Sequence, residues 1–198
     1  PDVSCISVND QVQHSIPDGR TLEDGDVINF DFGVKYKGMI TDAGITTIIG
    51  GEALSNRDAE LLKGTKEALD AAVNMISAGV RVGDISATIQ KVLEKYNLGI
   101  VKELVGHGVG YELHEDPEIA NYGNAGTGPA LKAGMTIAVE PITTTGSPDI
   151  YIENPFPKKI RDKDTMQKYL DADEKLSTIC LKIDYYDTML VYIESILS

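Results

Sequence analysis

Residues 27–49 read VINFDFGVKYKGMITDAGITTII, and this stretch decides the class of fold. Two β-rich runs, 27–34 and 39–49, flank the short segment KYKG, which ends in Gly38. This pattern is typical of a β-hairpin. In the first run apolar residues alternate with polar or small ones, so we expect one apolar face and one polar face.

The polar face of the hairpin carries two aspartates, Asp31 and Asp42. If Tyr36 and Lys37 form a two-residue turn, the two aspartates lie directly opposite each other, with Cβ atoms about 4.5–5.5 Å apart. Two like charges repel, so a shared proton, a basic partner or a bound cation is needed. Carboxylate oxygens suit Mg, Mn, Fe(II), Co or Zn. A slipped register would leave both aspartates in water, and the hairpin alone leaves both interpretations open.

Two helices are expected after the hairpin. Apolar residues at helical spacing predict the first over 56–77, with Ser55 or Asn56 as its N-cap. The second is predicted over about 85–97, with Asp84 as its N-cap.

Strands are expected on both sides of these helices. Residues 3–8 and 135–142, VSCISV and MTIAVEPI, are predicted strands, and 9–26 is predicted to hold a strand and a polar connection. The chain is therefore predicted to mix strands and helices in an α/β fold. Its 198 residues suffice for one domain with a sizeable core.

Charge and composition exclude several classes of function. A net charge of −13 argues against a nucleic-acid surface, which needs a basic face. No run of about 18 apolar residues is present, so no membrane span is expected. Cys5 and Cys180 form no CxxC motif, which fits a reduced, cytoplasmic setting. The sequence also lacks the GxSxG of a serine hydrolase and the GK[ST] of a P-loop.

Three histidines and one glutamate are the remaining candidates for chemistry. His107 lies between two glycines, His114 follows seven residues later, and His14 precedes a turn. Glu140 ends the apolar run TIAVE, where a buried carboxylate needs a partner. Each residue alone is more often structural. Together with the two aspartates they form a mixed oxygen–nitrogen set that could hold two bridged cations.

Four segments resemble one known family in order and spacing. They are CISVNDQVQHSIPD, DGDVINFDFGVKYKGMITDAGITTIIGG, GHGVGYELHEDP and GMTIAVEPITTTGSPDIY, which lie between about residues 2 and 153. The family is that of the type I methionine aminopeptidases. The resemblance implies the pita-bread α/β fold, a curved antiparallel sheet backed by helices.

The resemblance also implies the site and its chemistry. Asp31, Asp42, His107 and Glu140 match metal ligands, and two divalent ions (Co, Mn, Fe(II) or Zn) are the implied cofactors. His14 and His114 match the histidines that contact substrate, and Glu140 would shuttle the proton of the attacking water. Cys5 matches a residue of the methionine pocket, and Leu113 takes another pocket position. The implied partner is the N-terminus of a peptide or nascent protein, bound by a cytoplasmic monomer without nucleic acid or membrane.

The chain departs from the family at both ends. It starts at the strand that follows the family's N-terminal helices, so we expect a copy truncated there. The family's tryptophan turn and its fifth ligand, a glutamate, have no match, because the sequence has no tryptophan and no histidine after His114. Asp171 and Glu194 are the substitutes considered. We expect a partial catalytic domain over 1–153 and a divergent segment over 154–198.

Three interpretations of function follow. The first is a methionine aminopeptidase. The second is a catalytically impaired domain that only binds peptides or proteins. The third is a related metallopeptidase that acts on other short peptides. Loss of a bridging carboxylate would weaken the second metal site most.

Overall fold

A computed structural model of the chain describes residues 4–151. Three strands come first in this part of the chain, two α-helices follow, and five short strands come last. The elements are β1 (Ser4–Val8), β2 (Val27–Tyr36), β3 (Met39–Ile48), α1 (Asn56–Val73), α2 (Val82–Lys95), β4 (Gly99–Ile100), β5 (Gly106–Gly108), β6 (Glu115–Ile119), β7 (Ile137–Ala138) and β8 (Thr143–Thr144). The predicted boundary at 153/154 lies outside the described residues.

The strands form three antiparallel sheets. The first has the order β1-β2-β3, the second pairs β4 with β8, and the third has the order β6-β5-β7. The amide of Ile40 in β3 donates to the carbonyl of Gly110, 2.6 Å away, which ties the first sheet to the loop after β5. No described helix is long and apolar enough to cross a membrane.

The β2–β3 hairpin is present, but its predicted register is wrong. Tyr36 pairs with Met39, so Lys37 and Gly38 form the turn, with φ of 50° and 87°. Left-handed φ at both central positions matches the twist of paired strands, and glycine takes it without strain. Glycine at the second position therefore moves the turn by one residue relative to the prediction.

The corrected register changes the neighbours of both aspartates without changing their face. Asp31 pairs with Gly44, and Asp42 pairs with Gly33. The two aspartates are therefore diagonal rather than directly opposed. The pairing has moved by an even number of positions, so both side chains still point to the same side of the sheet.

The strand predicted within residues 9–26 does not form. Asn9 and His14 adopt left-handed conformations, with φ of 56° and 59°, which interrupt extended backbone. The segment is instead a connection that returns to β1, where the amide of Ile6 donates to the carbonyl of Ser15 at 2.9 Å. This connection places His14 beside the polar face of the first sheet.

Both predicted helices form, with shifted ends. The Ser55 hydroxyl caps α1 by accepting from the amide of Asp58 at 3.1 Å. α1 ends at Val73, before the predicted 77, because the amides of Met75 and Ile76 donate to carbonyls three residues back instead of four. α2 begins at Val82, and Asp84 lies in its first turn rather than at the N-cap, accepting from the Arg81 amide at 3.0 Å.

The core lies between these helices and the strands that follow them. On α1 the buried positions are small, Gly64, Ala68 and Ala72, so α2 packs closely against it. The fully buried side chains opposite are Ile85, Ile89, Leu93 and Ile119. This packed layer supports β5 and β6, which carry or flank the candidate site.

Two glycines of β5 are required for its pairing with its neighbours. A Cβ at Gly106 would collide with the carbonyl oxygen of Ala138, and one at Gly108 with that of Asp116. Both collisions are with backbone, which cannot rotate away. The strand predicted over 135–142 is limited to β7, Ile137–Ala138, and Glu140 lies just beyond it.

Candidate metal centre

Three side chains that are far apart in sequence converge on one point. His107 Nε2 lies 3.2 Å from Glu140 Oε1 and 3.5 Å from Asp42 Oδ2. One donor atom from each residue lies within 4.8 Å of the other two. These are three of the four residues that the sequence predicts as metal ligands.

His107 is oriented for this role by its own strand. Its Nδ1 lies 2.8 Å from the carbonyl oxygen of Gly108, which only accepts, so Nδ1 carries the proton. Nε2 then presents its lone pair to the two carboxylates. A hydrogen bond on one ring nitrogen that leaves the other for a cation is the usual arrangement of a metal-binding histidine.

The donor set fits a divalent cation. Glu140 Oε1 is buried and accepts no hydrogen bond from the described residues. A buried carboxylate oxygen without a donor is costly, and a cation would satisfy it. Two carboxylates and one imidazole suit Mn, Fe(II), Co or Zn, because they combine hard oxygen and borderline nitrogen ligands.

Burial and repulsion from neighbouring carboxylates raise the pKa values of the two carboxylates in the cluster. Burial, and then the charge of Asp42, raise the pKa of Glu140 to about 7. Burial, and then the charge of Asp31, raise the pKa of Asp42. Both shifts show that these groups resist ionising together without a positive partner.

In the metal-free protein the stability is therefore expected to fall as pH rises. The pKa of Glu140 is raised from 4.5 unfolded to about 7 folded, so the folded state binds more protons between these values. This contribution to stability is complete below the unfolded pKa and is lost as pH rises through the folded pKa. Denaturant melts in chelator between pH 5 and 8 would measure the effect. Glu140→Gln should flatten this slope, and a variant with an unchanged slope would contradict the assignment.

Asp31 lies beside the cluster but outside the three-residue set. Gln13 Nε2 donates to Asp31 Oδ2 at 3.0 Å, and His14 Nε2 lies 3.6 Å from the same oxygen. Asp31 nevertheless contributes charge to the site, since it raises the pKa of Asp42. The structure thus brings the fourth predicted ligand next to the other three without including it among them.

The predicted substrate residues lie beside His107 or on the sheet face that carries Asp31. The ring of His114 packs edge-on against that of His107, with centroids 4.3 Å apart. Cys5 is half-buried and pairs with Asp31 across β1 and β2. The side chain of Leu113 lies over Gly33 on the same face as Asp31. His14 is 60% exposed, and its predicted contact with substrate stays a prediction.

Two residues near the cluster were not identified from the sequence. Asn121 is fully buried, and its amide donates to the carbonyl of Glu140 at 2.7 Å, which fixes the backbone that carries that ligand. Gln13 contacts Asp31. Neither residue has a local signal, because both meet their partners only through the fold. Asp171 and Glu194, the predicted substitute ligands, lie outside the described residues.

Comparison with known proteins decides the family. The sequence model of metallopeptidase family M24 matches residues 1–185. The chain belongs to this metallopeptidase family. The match continues past 153, where the recognised motifs end, and the predicted boundary there stays a prediction.

Individual relatives point to the methionine aminopeptidases within the family. Methionine aminopeptidase 1 of Bacillus subtilis is 43% identical over 143 residues, which are 72% of this chain and 57% of that protein. The crystal structure of a Thermotoga maritima methionine aminopeptidase superposes with a TM-score of 0.73 at 42% identity, over 76% of this chain and 60% of that one. The chain thus spans under two thirds of the length of these relatives.

The family also contains more distant peptidases. A prolidase from Thermococcus sibiricus superposes with a TM-score of 0.63 at 31% identity, over 72% of this chain and 38% of that one. These likenesses confirm the predicted pita-bread fold and the resemblance to methionine aminopeptidases. Membership of a metallopeptidase family also confirms that the cofactors are metal ions.

Proposed function

We propose that this chain removes the N-terminal methionine from peptides and nascent proteins by metal-dependent hydrolysis. The observation that carries the proposal is the convergence of Asp42, His107 and Glu140 on one point, in a chain of a metallopeptidase family. At this point Glu140 Oε1 is buried and accepts no hydrogen bond from the described residues. The high identity to methionine aminopeptidases supports the choice of substrate over other peptides.

The proposed cofactors are two divalent ions, chosen from Co, Mn, Fe(II) and Zn. Asp42, His107 and Glu140 would hold the first, and Asp31 with Asp42 would hold the second. When bound, such ions polarise a carbonyl and lower the pKa of water, which makes it nucleophilic at neutral pH.

The side chains of this protein supply the other parts of the reaction. Glu140 would take the proton of the attacking water and pass it to the leaving amine. His114, beside the cluster, would donate to the oxyanion that develops on the carbonyl. His14 would contact the substrate, and Cys5 and Leu113 would line the methionine pocket.

The proposal extends to partners and setting. The substrate is a free N-terminus, because the α-amine must reach the carboxylate cluster. Nascent chains present such termini in the cytoplasm, where we place the protein. We propose that it acts as a monomer and without nucleic acid or membrane, in keeping with its net charge of −13.

The deciding experiment is methionine release by the full 198-residue chain. Met-Ala-Ser peptide is incubated with Mn(II) or Co(II), with N-acetylated peptide as the control, and cation uptake is titrated in parallel. We expect release that depends on both the cation and the free amine, and loss of uptake in Asp42→Ala. Equal uptake by wild type and Asp42→Ala would contradict the proposal. Cation uptake with hydrolysis of other short peptides only would favour a related metallopeptidase. Cation uptake with peptide binding but no hydrolysis would favour a catalytically impaired binding domain.

A further inference from the structure

We infer that Gln13 is a positioning residue that orients Asp31 for the second cation. The inference rests on the proposed function, since it concerns one of the two proposed metal positions. Gln13 is not proposed as a ligand, and it would act on the cation only through Asp31.

The contact is specific in its geometry. Gln13 is half-buried, and its Nε2 donates to Asp31 Oδ2 at 3.0 Å. The Gln13 amide does not occupy the other oxygen, Oδ1, which we assign to the cation. The bond to Oδ2 restricts rotation of the Asp31 carboxylate.

The Gln13 donor is a neutral amide, and its lack of charge matters as much as its position. An amide is neutral, so it orients Asp31 without cancelling the negative charge that a cation requires. A lysine or arginine in the same place would satisfy the carboxylate and compete with the metal. His14, the other neighbour of Oδ2, lies at 3.6 Å and is mostly exposed, so it holds Asp31 less firmly.

Hydrogen bonds to a metal-binding side chain have a measurable effect on metal affinity. Outer-shell partners fix the orientation of ligands, and their removal typically costs about 10–100-fold in metal affinity. The effect should fall on the cation that Asp31 contacts. The cation held by Asp42, His107 and Glu140 should be affected little, because the side-chain hydrogen bond of Gln13 goes to Asp31 and not to these residues.

The test is a Mn(II) titration of Gln13→Leu beside wild type by calorimetry. Leucine has nearly the size of glutamine but donates no hydrogen bond. We expect the weaker of two binding events to lose affinity by about 10–100-fold, and the tighter event to stay within about twofold of wild type.

Gln11→Leu is the matched control. Gln11 is a half-buried glutamine two residues away, and its Oε1 accepts from the amide of Val8 at 3.0 Å without contacting Asp31. Gln11→Leu should change the melting temperature but should leave the affinities of both Mn(II) binding events unchanged. Equal affinities in Gln13→Leu and wild type, or an equal loss in both leucine variants, would overturn the inference.

The same titration separates failure of the inference from failure of the proposed function. Uptake of a single cation by a wild type that still releases methionine would overturn the inference and the second proposed cation, but not the proposed activity. Absence of any uptake by wild type would contradict the proposed function, and the inference with it.

Discussion

Replacement of His107 by alanine is expected to lower the affinity for the tighter cation by more than about 100-fold. Loss of outer-shell partners alone costs about 10–100-fold, and His107 is proposed as a ligand itself. It also supplies the only nitrogen donor of the three-residue cluster. Its removal would leave two carboxylates facing each other at a buried site without a partner. At cation concentrations that support activity of the wild type, methionine release by His107→Ala should fall to background.

The measurement is a Mn(II) or Co(II) titration. Melting curves recorded separately in chelator show whether the variant is folded. His107 is only 7% exposed, so alanine creates a cavity and some loss of stability is expected. His107→Asn keeps a polar side chain of smaller volume and provides a second test of ligation. A folded His107→Ala variant that takes up the tighter cation with wild-type affinity would refute the assignment of this metal centre.

Replacement of His114 by alanine should have a different signature. We expect kcat for methionine release to fall by about 10²–10³-fold, the usual effect of removing one donor to a developing oxyanion. Cation affinity should remain near that of wild type. The ring of His107 would lose its edge-on neighbour, but its bond to the carbonyl of Gly108 keeps its orientation.

The two histidine variants therefore serve as controls for each other. Both remove an imidazole from the same pair of packed rings, yet only His107→Ala should release the cation. Steady-state assays at saturating Mn(II) separate the effects, because a defect in kcat then persists in His114→Ala. Parallel losses of cation affinity in both variants would show that His114 acts by supporting His107, and the proposed donor role would be wrong.

The elements around the site differ in how well local sequence predicts them. The hairpin over 27–49 was predicted because alternating apolar residues and a glycine-containing turn are local signals. Its register was not, since the choice between two adjacent turns depends on which residue takes left-handed φ. Asp31 and Asp42 kept their shared face because that face depends only on whether the shift is even or odd.

The helix ends show the same limit. Ser55 and Asn56 were the two predicted caps of α1, and the structure selects Ser55, whose side chain accepts from the amide of Asp58. Asp84 was recognised as a helix-start residue but placed at the wrong position, because an acidic group serves both at the N-cap and three residues later. Its second bond, to the amide of Gly126 at 2.7 Å, crosses the fold and has no local signal.

The candidate ligands themselves were identified from their chemical types and from the family motifs around them. What the local sequence leaves undecided is the distance between them. His107, Asp42 and Glu140 lie on or beside three different strands, and hydrogen bonds between β3, β5 and their loops bring them together.

Residue type and periodicity predicted the hairpin with its polar face, the two α-helices and the mixed oxygen–nitrogen character of the candidate ligands. Only the tertiary structure decided that Glu140 Oε1 is buried, that His107 presents Nε2 to it, and that Gln13 donates to Asp31. The physical reason is that burial and contact between distant segments depend on how the sheets pack, whereas propensity and alternation depend on neighbours along the chain.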